Sequence, residues 1–395
     1  MATAPAPGDT TVDRLLAADR AQVTAQPRDV DAWLRLGQRW VRKARDAADP
    51  GFYLNAQAAA EVALALAPDH PQAIELQAQV YLNDHRFEDA RALLTRLLQR
   101  EPERPSSLGL LSDALLELGR FDEAATATQA MVDLRPSLPS YSRAAHLLWL
   151  QGDVAAAQAA YRLALAMGEP RQDPEPLAWV HVQTAEVARH AGDVPVTQQH
   201  FAQALQLVPG YPAALLGQAR LELARHRPQE ALPLLRQAFA RSALPEIAWT
   251  LADAQAAMTD PGLDATLQWL QHRGEHTDPR TTAAWLASTK HNLGHALTLA
   301  QQERRQRGDV ETEDVLAWAL YRNGQWLQAR AASDRALGLG TKLAKLWFHA
   351  GAIRLAQGQS AEGRKLLHDA LALEPTLDHG EADEARALLS DVGQR

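Results

Sequence analysis

The chain has 395 residues, of which 46% are apolar and 22% charged, with a net charge of −8 and an isoelectric point near 6.0. It has no cysteine, which excludes a disulfide framework and a thiolate metal site. No uncharged apolar stretch approaches the ~20 residues that cross a bilayer, and the acidic balance lacks the basic stripe of a nucleic-acid binder.

Ala and Leu dominate the apolar set and β-branched residues are sparse, so the chain reads as all helical. Residues 1–10 are rich in Ala and Pro and lack the basic start and apolar run of a signal peptide, so a cytoplasmic protein is expected. A helix over 10–24 comes first, and 1–26 reads as a tail with a capping helix. Ten helix pairs follow. Their first helices are expected at 30–44, 71–84, 105–118, 138–151, 175–191, 212–225, 245–258, 279–288, 311–323 and 343–357. Their second helices are expected at 53–67, 87–100, 121–134, 154–168, 194–207, 228–242, 262–273, 292–307, 326–338 and 360–373. A helix over 381–391 closes the chain as a second cap, within a segment 377–395.

The pairs recur at a fixed interval. Pro68, Pro102 and Pro136 are evenly spaced, at the period of about 34 residues that suits a unit of two short helices. An alanine (Ala56, Ala90, Ala124) stands at the same distance before each proline. Phe87 and Phe121 keep the interval, as do Gly324 and Gly358. Trp33-x-x-Leu36-Gly37-x-x-Trp40 and Ala157-x-x-x-Tyr161 then resemble the two helix signatures of the tetratricopeptide-repeat family, with Trp at the usual Tyr position. The resemblance covers about residues 27–376, and the Ala/Leu/Arg/Gln bias resembles chains of GC-rich bacteria. It implies a right-handed superhelical solenoid of about ten antiparallel helix pairs. Small residues (Gly37, Ala78, Ala145, Ala185, Ala219, Ala317, Gly351) then sit where paired helices cross at 8–10 Å, facing Ala90, Ala124, Ala157, Ala231 and Ala329. The prolines end the second helices, and Gly119, Gly152, Gly192, Gly324 and Gly358 turn the chain after the first.

Departures from the period divide the array. Residues 27–242 and 310–376 read as regular, while 45–51 lengthen one turn and 169–174 insert a loop between the fourth and fifth pairs. Residues 243–309, with the breakers Asp260-Pro261-Gly262 and His276-Thr277-Asp278-Pro279, read as a short or irregular stretch.

Candidate chemistry is thin. His272-x-x-Glu275-His276 fits a zinc-peptidase pattern, which needs both histidines on one helix face and a free Glu. Gly274 and the breaker after it place the motif at a fraying helix end, so no metal, cofactor or enzymatic activity is expected. His291 and His295 share a face but supply only two ligands, and read as surface histidines. The basic runs Arg42-Lys43-x-Arg45 and Arg304-Arg305-x-Arg307 read as solvated helix ends.

What the resemblance implies instead is an interaction scaffold, its first helices lining a groove that holds a protein or peptide. Carried over by position, the groove residues are Gln38, Arg42, Glu75, Gln79, Asn83, Asp113 and Glu117 early. Ser142, His146, Trp149, Trp179, Glu186, Arg189 and His190 come from the middle, with Arg220, Trp249, Asp253, Trp318, Tyr321, Arg322 and Phe348 beyond. The remaining tryptophans read as core (Trp33, Trp40, Trp347) or as helix-packing and irregular-region positions (Trp269, Trp285, Trp326). Gln38, Gln79 and Asp113 replace the Lys, Arg and Asn with which some members clamp chaperone tails, so that ligand is not implied. Self-assembly into a homodimer is the alternative reading.

Overall fold

The computed structural model describes residues 1–5, 8, 10–169 and 173–391. Residues 6, 7 and 9 of the expected tail, 170–172 of the expected loop and 392–395 of the C-terminal segment lie outside the described residues. The described residues form 22 α-helices and two 3₁₀ turns. Helix α1 (Thr11–Ala25) precedes the pairs α2 (Val30–Ala47) with α3 (Tyr53–Leu66), α4 (Pro71–Asn83) with α5 (Phe87–Arg100), and α6 (Pro105–Glu117) with α7 (Phe121–Leu134). Then come α8 (Leu138–Leu150) with α9 (Val154–Ala166), α10 (Glu175–His190) with α11 (Val194–Leu207), and α12 (Pro212–Ala224) with α13 (Pro228–Arg241). The pairs α14 (Pro245–Ala257) with α15 (Leu263–Thr277), α16 (Pro279–Ser288) with α17 (Leu293–Gln306), and α18 (Val310–Arg322) with α19 (Trp326–Leu337) follow. The last pair is α20 (Ala344–Ala356) with α21 (Ser360–Leu373), and α22 (Glu381–Asp391) ends the series. The chain divides into two compact units, Met1–Arg143 and Ala144–Arg395, within α8.

Local sequence sets the helix ends. Proline opens α4, α6, α12, α14 and α16 at a position where its missing N–H is no loss. The carboxylates of Asp29, Asp153, Asp193, Asp278 and Asp309 cap free N–H groups at the starts of α2, α9, α11, α16 and α18. All five turn glycines have φ between +74° and +78°. In other repeats the same left-handed turn falls on His85, His226, Thr259 and Lys290, at φ of 51° to 58°, where a side chain costs ~1–2 kcal/mol.

In the first unit, Leu36, Trp40, Ala56, Ala59 and Leu76 share one core with Leu16 of α1. Trp40 is 1% exposed and donates from Nε1 to the Ala2 carbonyl, 2.8 Å away. The capping helix is also held by charge: Lys43 Nζ meets Asp13 Oδ1 at 2.7 Å, both side chains buried. This corrects the solvated reading of the first basic run. In the second unit Arg307 is likewise buried, beside Glu303 and Asp309. Such cations are not free surface charge, because leaving a buried charge unpaired is costly.

Residues 243–309 carry two consecutive helix pairs, with α16 cut to ten residues. Helix α15 runs through the motif 272–276 to Thr277, not fraying before it. Gly274 makes this possible: a Cβ there would sit 2.7 Å from Thr282 Oγ1 of α16. Trp326, read as a packing residue, is instead 47% exposed, while Trp285 is buried in the core with Leu270 and Leu286.

In the last pair the two helices cross backbone to backbone. A Cβ on Gly351 would lie 3.0 Å from the Gly363 carbonyl oxygen and 2.8 Å from Leu367 Cγ, and one on Gly363 would lie 2.9 Å from the Gly351 carbonyl oxygen. Backbone cannot step aside as a side-chain end can. Gly351→Ala should therefore destabilise the second unit by about 1–3 kcal/mol. Gly294→Ala, with open space around its Cβ, should be neutral or stabilise by up to about 1 kcal/mol. Thermal melts by circular dichroism compare the two.

Candidate functional site

In the first unit the expected groove carboxylates are taken up by neighbouring first helices. Glu75 of α4 accepts from Ser106 and Ser107 Oγ, 2.6 Å each, and from Arg104 Nε at 3.2 Å. Asp113 of α6 receives Arg143 of α8 through two parallel bonds of 2.8 and 2.7 Å. Gln38 is exposed, and Arg42, Gln79, Asn83 and Glu117 are half-buried. Arg42 pairs with Asp46 at 3.8 Å, and Asn83 donates to Asp84 at 3.0 Å.

In the second unit the first helices α8, α10, α12, α14, α16, α18 and α20 surround a cavity of about 450 Å³. His146, Trp149, Glu186, Arg189, His190, Arg220, Trp249 and Trp318 all line it. Trp179 is exposed but is not in the lining, and neither are Asp253 and Arg322. Carboxylates outnumber lysine and arginine in the lining by eight to four.

The unit closes around this lumen through two long-range contacts. At the turn between α8 and α9, Thr341 Oγ1 donates to the Leu150 carbonyl. There Gly152, at φ +78°, lies so near the Gly340 carbonyl oxygen that no Cβ fits. The other contact is made by the segment between α21 and α22. Its Glu374 pairs with Arg189, and its second oxygen is 3.3 Å from His190 Nδ1. Asp378 lies 3.4 Å from Arg220 Nε, and Leu377 is buried. His379, in the left-handed region at φ +56°, stacks on Trp249 with centroids 3.6 Å apart and bonds Asp253.

These pairings set the charge states. Burial alone would disfavour the Arg189 cation, but Glu186, Glu374 and Asp378 outweigh it and raise its pKa. Burial raises Asp378, yet Arg220 and Arg189 bring it below the ordinary carboxylate value. Arg280 holds Glu311 down to about 2. Trp249 and Trp318, carried to the groove by position, have covered faces. Trp318 is 1% exposed and is stacked by His349, at 3.9 Å, and Tyr321, with the Arg322 guanidinium 4.1 Å over its ring. Arg322 itself pairs with Glu384 of α22. Trp149 differs: it is half-buried between His146 and His190, and among the described residues no group accepts from its buried Nε1.

The zinc-like motif lies outside the lumen lining. Glu275 is bonded to His295 Nε2 at 2.5 Å, and His272 and His276 are exposed. Among the described residues no group of three or more His, Asp or Glu is placed to hold a metal ion. Sequence reasoning missed the C-terminal segment altogether, because nothing local marks Glu374 or Asp378 as partners of helices so much earlier in the chain.

One histidine couples the lumen to pH. Burial would lower His349, but Asp314, 2.9 Å from its Nδ1, and Glu381 outweigh it and raise it to about 8. A raised pKa stabilises the fold fully below the ordinary value near 6.5 and loses that contribution as pH rises through about 8, ~2 kcal/mol in all. On the neighbouring face of α10, His181 and His200 meet at 2.8 Å, and burial pushes His181 down to about 4. That contribution is present above the ordinary value and is lost as pH falls from there towards about 4. Thermal melts between about pH 5 and 9 should fall on both sides. His349→Gln should flatten the alkaline side and His181→Gln the acid side.

Tetratricopeptide-repeat profiles match residues 75–139 and 138–167. No curated protein matches the chain. Among solved structures, human IFIT1 with PPP-AAAA is 14% identical, with 92% of this chain and 90% of that chain covered and a TM-score of 0.50. A monomeric IFIT1 mutant with Gppp-AAAA is also 14% identical, covers 91% and 85%, and has a TM-score of 0.51. A TPR protein of Thermus thermophilus is 22% identical, covers 47% and 99%, and has a TM-score of 0.41. No helix among the described residues is long and apolar enough to cross a membrane. With its even repeat spacing, its tandem helix pairs and these profile matches, the chain carries tetratricopeptide repeats over residues 75–167 within an all-helical series of tandem pairs, a fold consistent with a scaffold for protein interactions.

Proposed function

We propose that this scaffold docks a segment of another protein in the lumen of its second unit. The observation that carries the reading is Trp149: a large aromatic half-buried on the lumen wall, its indole N–H shielded from water and, among the described residues, without an acceptor. A buried donor left unmade is unfavourable, and an incoming carbonyl or carboxylate relieves it. Tryptophan also combines apolar area with a polar handle, the combination that dominates interface hot spots. The cavity of about 450 Å³ is large enough for several side chains of an extended segment.

The charge of the lining favours a protein over a nucleic acid. The IFIT1 structures hold PPP-AAAA or m7Gppp-AAAA, but here, even without Glu374 and Asp378 of the C-terminal segment, six carboxylates face four lysines and arginines and would repel a run of phosphates.

A photo-reactive residue in place of Gln183, which lines the lumen, should crosslink to a polypeptide in extract of the source organism. Trp149→Ala should weaken that partner's binding by about 2 kcal/mol or more, with the helical circular dichroism unchanged. Loss of helix in that variant, or crosslinks to nucleic acid alone, would defeat the reading.

A further inference from the structure

Part of the lumen wall already holds a peptide. Between α21 and α22 the chain leaves helical geometry, passes through Pro375 and a 3₁₀ turn (Asp378–Gly380), and lies against α10, α12 and α14. It is held there by side chains. Glu374 meets Arg189 and His190, Asp378 meets Arg220, Leu377 is buried between them, and His379 covers Trp249. The two carboxylates are four residues apart and are received by donors on two successive first helices, α10 and α12.

We infer that the segment docked by this scaffold is acidic, with two carboxylates spaced like Glu374 and Asp378 around an apolar residue, and that residues 374–379 occupy its place until it displaces them. The inference rests on the proposed docking in the lumen. Its physical basis is the buried cations. The Arg189 and Arg220 side chains are 11% and 12% exposed, and among the described residues of the receiving wall they pair with Glu186 and Glu246. A partner that pushed the segment aside without replacing its carboxylates would leave these guanidiniums short of counter-charge against the rest of the wall, which is unfavourable. An apolar or basic segment is disfavoured for that reason. The tether makes the cis segment a strong competitor, because a flexible link presents it at an effective concentration in the ~mM range. The start of α22 is anchored separately, by Glu381 on His349 and Glu384 on Arg322, so release of 374–379 leaves that cap in place.

A fluorescein-labelled peptide of residues 373–380, Leu-Glu-Pro-Thr-Leu-Asp-His-Gly, is added to the full chain and followed by fluorescence anisotropy. E374Q/D378N, which keeps side-chain shape and removes the charges, should bind it at least tenfold more tightly than the unsubstituted chain. Adding R189Q/R220Q should abolish that binding, and a peptide with Gln and Asn in place of its Glu and Asp should not bind. If E374Q/D378N keeps its circular dichroism and still ignores the peptide, or binds the uncharged peptide equally well, the inference fails. Hydrogen exchange on the unsubstituted chain gives a second reading that needs no variant. Excess peptide should speed exchange at 374–380 while α21 and α22 stay protected, and unchanged exchange would overturn the idea. Failure here with a protein still crosslinked at Gln183 rejects only the acidic class, whereas failure of both rejects the docking lumen itself.

Discussion

The close crossing of two helices within each repeat is the constraint from which the rest follows. In several pairs both helices carry only a methyl group at the crossing point. Ala78, Ala145, Ala185, Ala219 and Ala317 on first helices, and Ala90, Ala124, Ala157, Ala231 and Ala329 on second helices, are all fully buried. In the last pair both alanines are reduced to glycine, and backbone meets backbone at Gly351 and Gly363. A pair packed so tightly cannot bury its outer apolar faces by itself, and it does so by stacking on the next pair. In the second unit that stacking turns the first helices towards a common lumen.

The lumen then imposes an electrostatic constraint of its own. First helices present Arg, Lys, His, Asp and Glu to the lumen, and where such a side chain is buried an unpaired charge is costly. Neighbouring repeats answer with ladders: Arg220 to Glu246, Arg280 to Asp309 and Glu311, Asp314 to His349. Where the ladder leaves Arg189 and Arg220 short, the C-terminal segment completes it. The same contacts close the unit and occupy part of its lumen.

Much of this was readable beforehand for a local reason. Helix boundaries follow from proline at the first helical position, Asp at the cap and glycine in the turn, and these act within a few residues of where they stand. The first-helix start at Pro279 was placed to the residue on that basis, and the second-helix start at Phe87 by the repeat interval it shares with Phe121. The turn rule failed to flag His85, His226, Thr259 and Lys290, because packing there holds an ordinary residue in a conformation it would not choose. The motif at 272–276 was misplaced similarly: Gly274 reads as a helix breaker in isolation but lets α15 approach α16.

The sequence by itself determined the repeat, its helices and the residue types that face inward, since all of these depend on a constant period and on neighbours along the chain. Only the tertiary structure decided which inward residues remain available. Trp249 and Trp318 are covered, Glu75 and Asp113 are paired, and Trp149 keeps an N–H that no described residue answers, because the groups around them come largely from other helices, some of them far along the chain. The meeting of Glu374 and Asp378 with Arg189 and Arg220 belongs to this second class. No rule of spacing connects them, and they come together only because the stacked pairs of the second unit bring its last segment back onto its earlier helices.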